Sequence, residues 1–189
     1  YVDQNSERLK STRLAHEDYW KNQSYYPLTH RIDSSKSKLF LFKGYASEFQ
    51  ESKLGEYPRL KYFQDRPENT VIDYYNRFIV QDSVRIPKAF VIQSKYPKII
   101  DHLRRNQVIL ETIEKDTVFD VEVDHIKDYK TSRSPYEGHY YHYQTQTISS
   151  TEELSFKKGD VIAYTQQNAL RYLMEILEAQ APNSFFNWN

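Results

Sequence analysis

The chain contains no cysteine. That excludes disulfides, Cys-ligated zinc and a thiol nucleophile. It fits a reducing compartment and a cysteine-poor exported protein equally well. Glycine is scarce, with 4 residues at Gly44, Gly55, Gly138 and Gly159. No two lie close enough to form a phosphate-cradling loop. Net charge is missing too, because 26 Lys and Arg balance 26 Asp and Glu. A general polyanion binder needs a basic excess or stripe, so no nucleic-acid partner is expected. No apolar run approaches the roughly 20 residues of a membrane helix, so no membrane span is expected either. No charged-then-apolar leader stands at Tyr1, and a signal peptide is expected to be absent or already removed.

What is present is a globular composition. Leu, Ile, Val and Phe make up 46 of 189 residues, about 24%, above the roughly 20% below which a core becomes doubtful. Aromatic residues are abundant, with 17 Tyr, 10 Phe and 2 Trp. They favour sheets, and an exposed subset would suit sugars or peptides.

Residues 1–24 are polar and free of Gly and Pro. Leu9, Leu14, Tyr19 and Trp20 form a thin stripe at helical spacing, which predicts a polar linker helix packing through its C-terminal end. From residue 25 the pattern turns to strands. Leu39-Phe40-Leu41-Phe42 is an apolar run. Arg59 to Phe63 and Thr70 to Tyr75 flank Asp65-Arg66-Pro67-Glu68-Asn69, read as a breaker. Lys88 to Ile92 predicts a buried strand. Ser94 and Pro97 mark a helix start, Tyr96, Ile99, Ile100 and Leu103 share one face, and Asn106 is the expected left-handed stop. Val108 to Ile113 completes a strand–helix–strand unit. Phe119, Val121 and Val123 alternate with Asp120, Glu122 and Asp124 in a further strand. Phe156 to Asp160 reads as a turn into Val161 to Tyr164, and a last helix spans roughly 167–178 before Pro182. The expected class is α+β: a β-rich mixed domain over 25–189 with antiparallel strands, one strand–helix–strand unit and a C-terminal helix. Phe185, Phe186 and Trp188 are costly to leave in water, so the tail is expected to dock.

The candidate chemistry concentrates at Tyr136, Glu137, His139 and His142. His139 and His142 would share a metal only on a helical turn, since strand spacing points them to opposite faces. A hydrogen-bonded aromatic loop is the plainer reading, and no metal ligand is assigned. His30 with Asp33 and His125 with Asp128 repeat a His-x-x-Asp spacing, but both pairs fall at expected strand ends, where exposed polar side chains are ordinary. Asp120, Glu122 and Asp124 could hold a cation or serve acid–base work, but a solvated strand face accounts for them. No Gly-x-Ser-x-Gly elbow is present, and no catalytic residue is assigned.

An ordered series of segments carries a resemblance: Ile86-Pro87-Lys88-Ala89-Phe90-Val91-Ile92, Leu110-Glu111-Thr112-Ile113-Glu114-Lys115-Asp116-Thr117, Val121-Glu122-Val123, Asp128-Tyr129-Lys130, Pro135-Tyr136-Glu137-Gly138-His139, Phe156-Lys157-Lys158-Gly159-Asp160, Gln166-Gln167-Asn168-Ala169, Leu177-Glu178, and Ala181 through Asn189. Over roughly residues 35–189 the chain resembles the C-terminal, non-catalytic region of bacterial zinc carboxypeptidase-like proteins. Residues 1–24 then resemble the linker from the peptidase domain. That domain binds zinc through His-x-x-Glu and a distant His, and uses a Glu as general base. None of the six histidines here has Glu at the third position after it, so no catalytic residue carries over. The resemblance implies an accessory domain of a metallopeptidase engaged in proteolysis. Its zinc would lie in the parent peptidase domain and not in this chain, its partner would be the upstream peptidase domain, and its location would be periplasmic or extracellular. It also implies that the chain is a piece of a longer one. The rival readings are a carbohydrate- or peptide-binding module using exposed aromatics, and an independent hydrolase using Glu137, His139 and His142.

Overall fold

The computed structural model describes residues 1–188, with Lys21 described by its backbone alone. The structure is mixed α+β, strand-rich and antiparallel. A short 3-10 turn leads into α1 (Ser6–Lys21), then β1 (Tyr25–Ile32), β2 (Lys38–Gln50), β3 (Arg59–Tyr74), β4 (Phe78–Arg85) and β5 (Ala89–Ile92). There follow α2 (Pro97–Arg105), β6 (Glu111–Thr112), β7 (Thr117–Thr131), β8 (His142–Phe156), β9 (Val161–Tyr164) and α3 (Leu170–Leu177). Strand β1 pairs with β4. By contacts the chain divides into two units, Tyr1–Thr29 with Val80–Asn189, and His30–Ile79.

The first unit is built around a small sheet of order β5-β9-β6. Both outer strands run antiparallel to β9, so β5 and β6 are parallel to each other with β9 inserted between them. Helix α2 is the crossover that such a parallel pair requires. Pro97 opens it at a position where its missing N–H costs nothing. The left-handed residue after it is Gln107 (φ 61°) and not Asn106. Asn106 instead turns its amide onto the His102 carbonyl at 2.9 Å and the Tyr172 hydroxyl at 2.9 Å. The side-chain cap pulls Asn106 into the last turn and passes the reversal to its neighbour.

One core cluster joins Ile92, Ile100, Leu103, Val108, Val161, Ala163 and Leu173. A second joins Tyr26, Leu28, Leu170, Met174 and Ala181, with Trp20 and Phe90 packed against it. Leu170 and Met174 lie four apart on α3 and Leu173 lies one turn from Leu170, so adjoining sides of one helix serve both clusters. Helix α1 reaches this core only near its end, where Trp20 meets the Tyr26 ring at 5.1 Å. Burial and the Glu175 carboxylate at 2.9 Å push the Tyr26 hydroxyl pKa up.

Asp160 locks the turn before β9. Its carboxylate accepts the backbone N–H of Ser94 at 2.7 Å and of Lys157 at 2.8 Å. Burial alone would raise this carboxyl, but those two bonds hold it below its ordinary value. Gly159 supplies the positive φ (97°) that the turn needs.

Strands β7 and β8 form a 15-residue-per-strand hairpin, pairing Thr117 with Phe156 at its root and Thr131 with His142 at its shoulder. The second unit holds another long ribbon, β2 with β3. The segment read as a breaker is part of β3. Pro67 stands opposite Tyr45, beside an irregularity where Ala46 faces a longer stretch of β3. A two-stranded ribbon tolerates proline there because one side of each strand is unpaired. Within the irregularity the Arg66 guanidinium lies 3.8 Å from the Phe63 ring centre.

Candidate functional site

The four candidate residues sit on the β7–β8 hairpin. Tyr136 and His139 exchange backbone bonds of 2.9 and 3.0 Å across a two-residue turn. Glu137 (φ 49°) and Gly138 (φ 85°) both have positive φ, the type I′ geometry that matches strand twist. Tyr136, Glu137 and His139 are all exposed at this tip. His142 is elsewhere, at the shoulder of the hairpin and half-buried. Its Nδ1 lies 2.9 Å from the Thr131 hydroxyl, and its ring packs on Tyr129 at 4.7 Å and Phe186 at 5.4 Å. One ring is a tip residue and the other a packing residue, so the two histidines do not act as a unit.

The other histidine pairings change partners. His125 Nε2 meets Glu152 at 2.7 Å, while Asp128 accepts the Tyr129 N–H. The Ser150 hydroxyl and then His125 hold the Glu152 carboxyl low. Asp33 is engaged by Ser35. In the acidic row of β7, Glu122 pairs with Arg85 at 2.6 Å and Asp124 accepts the Ser149 hydroxyl at 2.5 Å. Among the described residues no cluster of three or more His, Asp or Glu has metal-holding geometry. No helix among them is long and apolar enough to cross a membrane.

The tail docks, and it does so by turning rather than by extending. Trp188 N–H bonds the Ser184 carbonyl at 3.1 Å. Phe185 packs on His102 of α2 at 5.9 Å. Phe186 meets Tyr129 edge-on at 5.1 Å. Trp188 lies 4.9 Å from Tyr141 and 6.4 Å from Tyr136. Its indole N–H and the Tyr141 hydroxyl both donate to the Pro182 carbonyl at 3.2 Å. The candidate residues thus belong to an aromatic surface shared by the hairpin and the tail, with Tyr136, Tyr140 and Tyr143 exposed.

Two residues central to this region carry no sequence signal. Asn187 is buried with every polar group satisfied: Thr145 donates to its Oδ1 at 2.7 Å, its Nδ2 donates to Ala181 O at 2.8 Å, its N–H reaches Ser184 Oγ, and its carbonyl accepts the His142 N–H at 2.8 Å. Glu178 is a buried acid at the end of α3. In the sequence each is a lone polar residue beside apolar neighbours, Glu178 after Leu177 and Asn187 between Phe186 and Trp188, and only the docked structure shows that their side chains are buried.

Two open, polar hollows lie in the second unit. One of about 240 Å³ is lined by Glu51, Ser52, Gly55, Glu56 and Pro58. The other, of about 460 Å³, is lined by residues 35–38, Asn76 and Arg77. Neither is lined by a candidate residue, and neither offers the apolar walls of a small-molecule site. No family model, no curated protein and no solved structure matches the chain.

Proposed function

We propose that the chain is a non-catalytic accessory domain of a bacterial zinc carboxypeptidase-like metallopeptidase. It holds the peptidase domain or shapes substrate access to it. The zinc and the proteolysis belong to the peptidase domain, and the protein is exported to the periplasm or cell surface. The ordered segments from Ile86 to the Phe-Phe-Asn-Trp tail support the family. The observation that carries the accessory role is the β2–β3 ribbon. Leu39, Phe40, Leu41 and Phe42 are consecutive, pair with 70–73, and are each about half exposed or more. Apolar runs of this kind on a two-stranded ribbon mark a surface built for another protein face. The test mixes the chain with the peptidase domain of such an enzyme and follows association by sedimentation. Binding that is lost in Leu41→Glu supports the role. Absence of binding, or zinc-dependent peptidase turnover by the chain alone, refutes it.

A second reading is a carbohydrate- or peptide-binding module. The exposed rings of Tyr136, Tyr140 and Tyr143 around Trp188 favour it, because flat aromatic faces stack on sugars and prolines. Titration calorimetry with cell-wall glycans and short peptides separates the two. Heat that disappears in Tyr136→Ala favours this second reading.

A further inference from the structure

Helix α3 ends at Leu177, and Glu178 leaves it with extended backbone (ψ 115°). Its side chain turns inward: Glu178 is only 8% exposed, and its Oε1 has no hydrogen-bond partner among the described residues. The place is unfavourable for a negative charge in three separate ways. It is dry, which penalises the ionised form. It lies at a helix C-terminus, the negative end of the helix dipole. The charged groups acting on it are Asp124 and Glu122 of β7, both negative, and Glu122 already spends its charge on Arg85 of β4. Against this stands a single stabilising contact, the backbone N–H of Gln180.

Glu178 is also the root of the docked tail. The next residues are stitched to the hairpin by Gln180 Nε2 on the Thr147 hydroxyl (3.2 Å), Tyr141 Oη on the Pro182 carbonyl (3.2 Å), Thr145 Oγ1 on Asn187 Oδ1 (2.7 Å) and His142 N on Asn187 O (2.8 Å). The strand β7 of that same hairpin carries the two opposing carboxylates.

We propose that Glu178 is a proton-operated latch. Neutral, it lets α3 and the segment 179–188 seat on the β7–β8 hairpin. Ionised, it sets an unneutralised charge against Asp124 and Glu122 and loosens that seat. Burial first, and Asp124 next, raise the Glu178 carboxyl above its ordinary value of 4.5. A folded value above the unfolded one fixes the sign. The stabilisation is complete below the ordinary glutamate value and is lost as pH rises through the raised folded value. The latch is therefore closed in acid and eased towards neutral and alkaline pH.

The experiment is amide hydrogen exchange on the full chain at about pH 5 and about pH 8, corrected for intrinsic rates, reading His142 and the tail amides. The wild-type chain should lose protection there by about tenfold for each unit by which the raised carboxyl value exceeds pH 5, since the part below pH 5 is lost before the first measurement. Glu178→Gln, an uncharged isostere, should hold its protection within about twofold across the range. Asp124→Asn should lose less protection than the wild type, because one opposing charge is gone. An equal loss in wild type and Glu178→Gln overturns the latch. If Glu178→Gln does not fold, Asp124→Asn decides: a loss equal to the wild type's overturns the proposal, and a smaller one sustains it.

Discussion

The sheet β5-β9-β6 and the ribbon β2–β3 use similar residues to opposite ends. In the first unit Leu103 and Leu173 are fully buried between helices and sheet, while in the second Leu39 is 79% exposed. The difference is one of layers. A three-stranded sheet backed by two helices has an inside, so an apolar stripe gains from joining it. A two-stranded ribbon has two faces and no layer of its own to cover either, so four consecutive apolar residues must leave some in water. The same chemistry therefore contributes stability in one unit and offers a surface in the other.

That contrast is sharpest at leucine. Leu103→Ala should cost about 2–5 kcal/mol, the usual penalty for emptying a close-packed site. Leu39→Ala should stay within about 0.5 kcal/mol, as exposed substitutions do. Urea unfolding of the two variants measures both, and equal costs would break the distinction between the units.

Asn187→Leu should come next, at about 1–3 kcal/mol, because Thr145 and Ala181 keep buried polar groups with no partner. Thermal melts report the loss. A neutral result would mean that the tail closes over the hairpin without its polar anchor.

Asp160→Asn should show a similar deficit near neutrality, about 1–3 kcal/mol, with a pH signature of its own. Two backbone N–H groups hold the folded carboxyl below its ordinary value. Its contribution is therefore present above the unfolded carboxyl value and lost as pH falls through the folded one. The gap between wild type and variant should close in acid. A gap that persists there would assign the loss to shape rather than charge.

The smallest effect belongs to the ribbon. Phe42→Ser, at a half-exposed position, should leave the unfolding midpoint nearly unchanged. On the proposed accessory role it should still weaken association with a carboxypeptidase-like peptidase domain. A large drop in stability would show that Phe42 serves the fold instead.

Much of the fold was legible because local signals agreed. Pro97, the 96–103 stripe and the alternation at 119–124 place α2 and β7 where the structure has them. Phe156 to Asp160 turns as read. The errors share one cause, which is that local grammar has no access to pairing. Pro67 looked like an interruption until β2 was seen opposite it. Asn106 looked like the reversal until Tyr172, 66 residues away, was found on its amide. At the candidate site the stretch was legible only as a hydrogen-bonded aromatic loop, and His142 could not be separated from His139 without knowing that Phe186 packs on it.

The sequence by itself determined periodicity and payload: which stretches are helical or extended, which face of α2 is apolar, and that Phe185, Phe186 and Trp188 are too apolar to leave wet. Tertiary structure alone decided where those payloads go. It placed β9 between β5 and β6, seated the tail on the β7–β8 hairpin, and thereby buried Asn187 with all its partners and Glu178 with one oxygen bare. Burial is a property of what arrives from elsewhere in the chain. A glutamate at a helix end becomes an acid with a raised pKa only when distant residues remove its water.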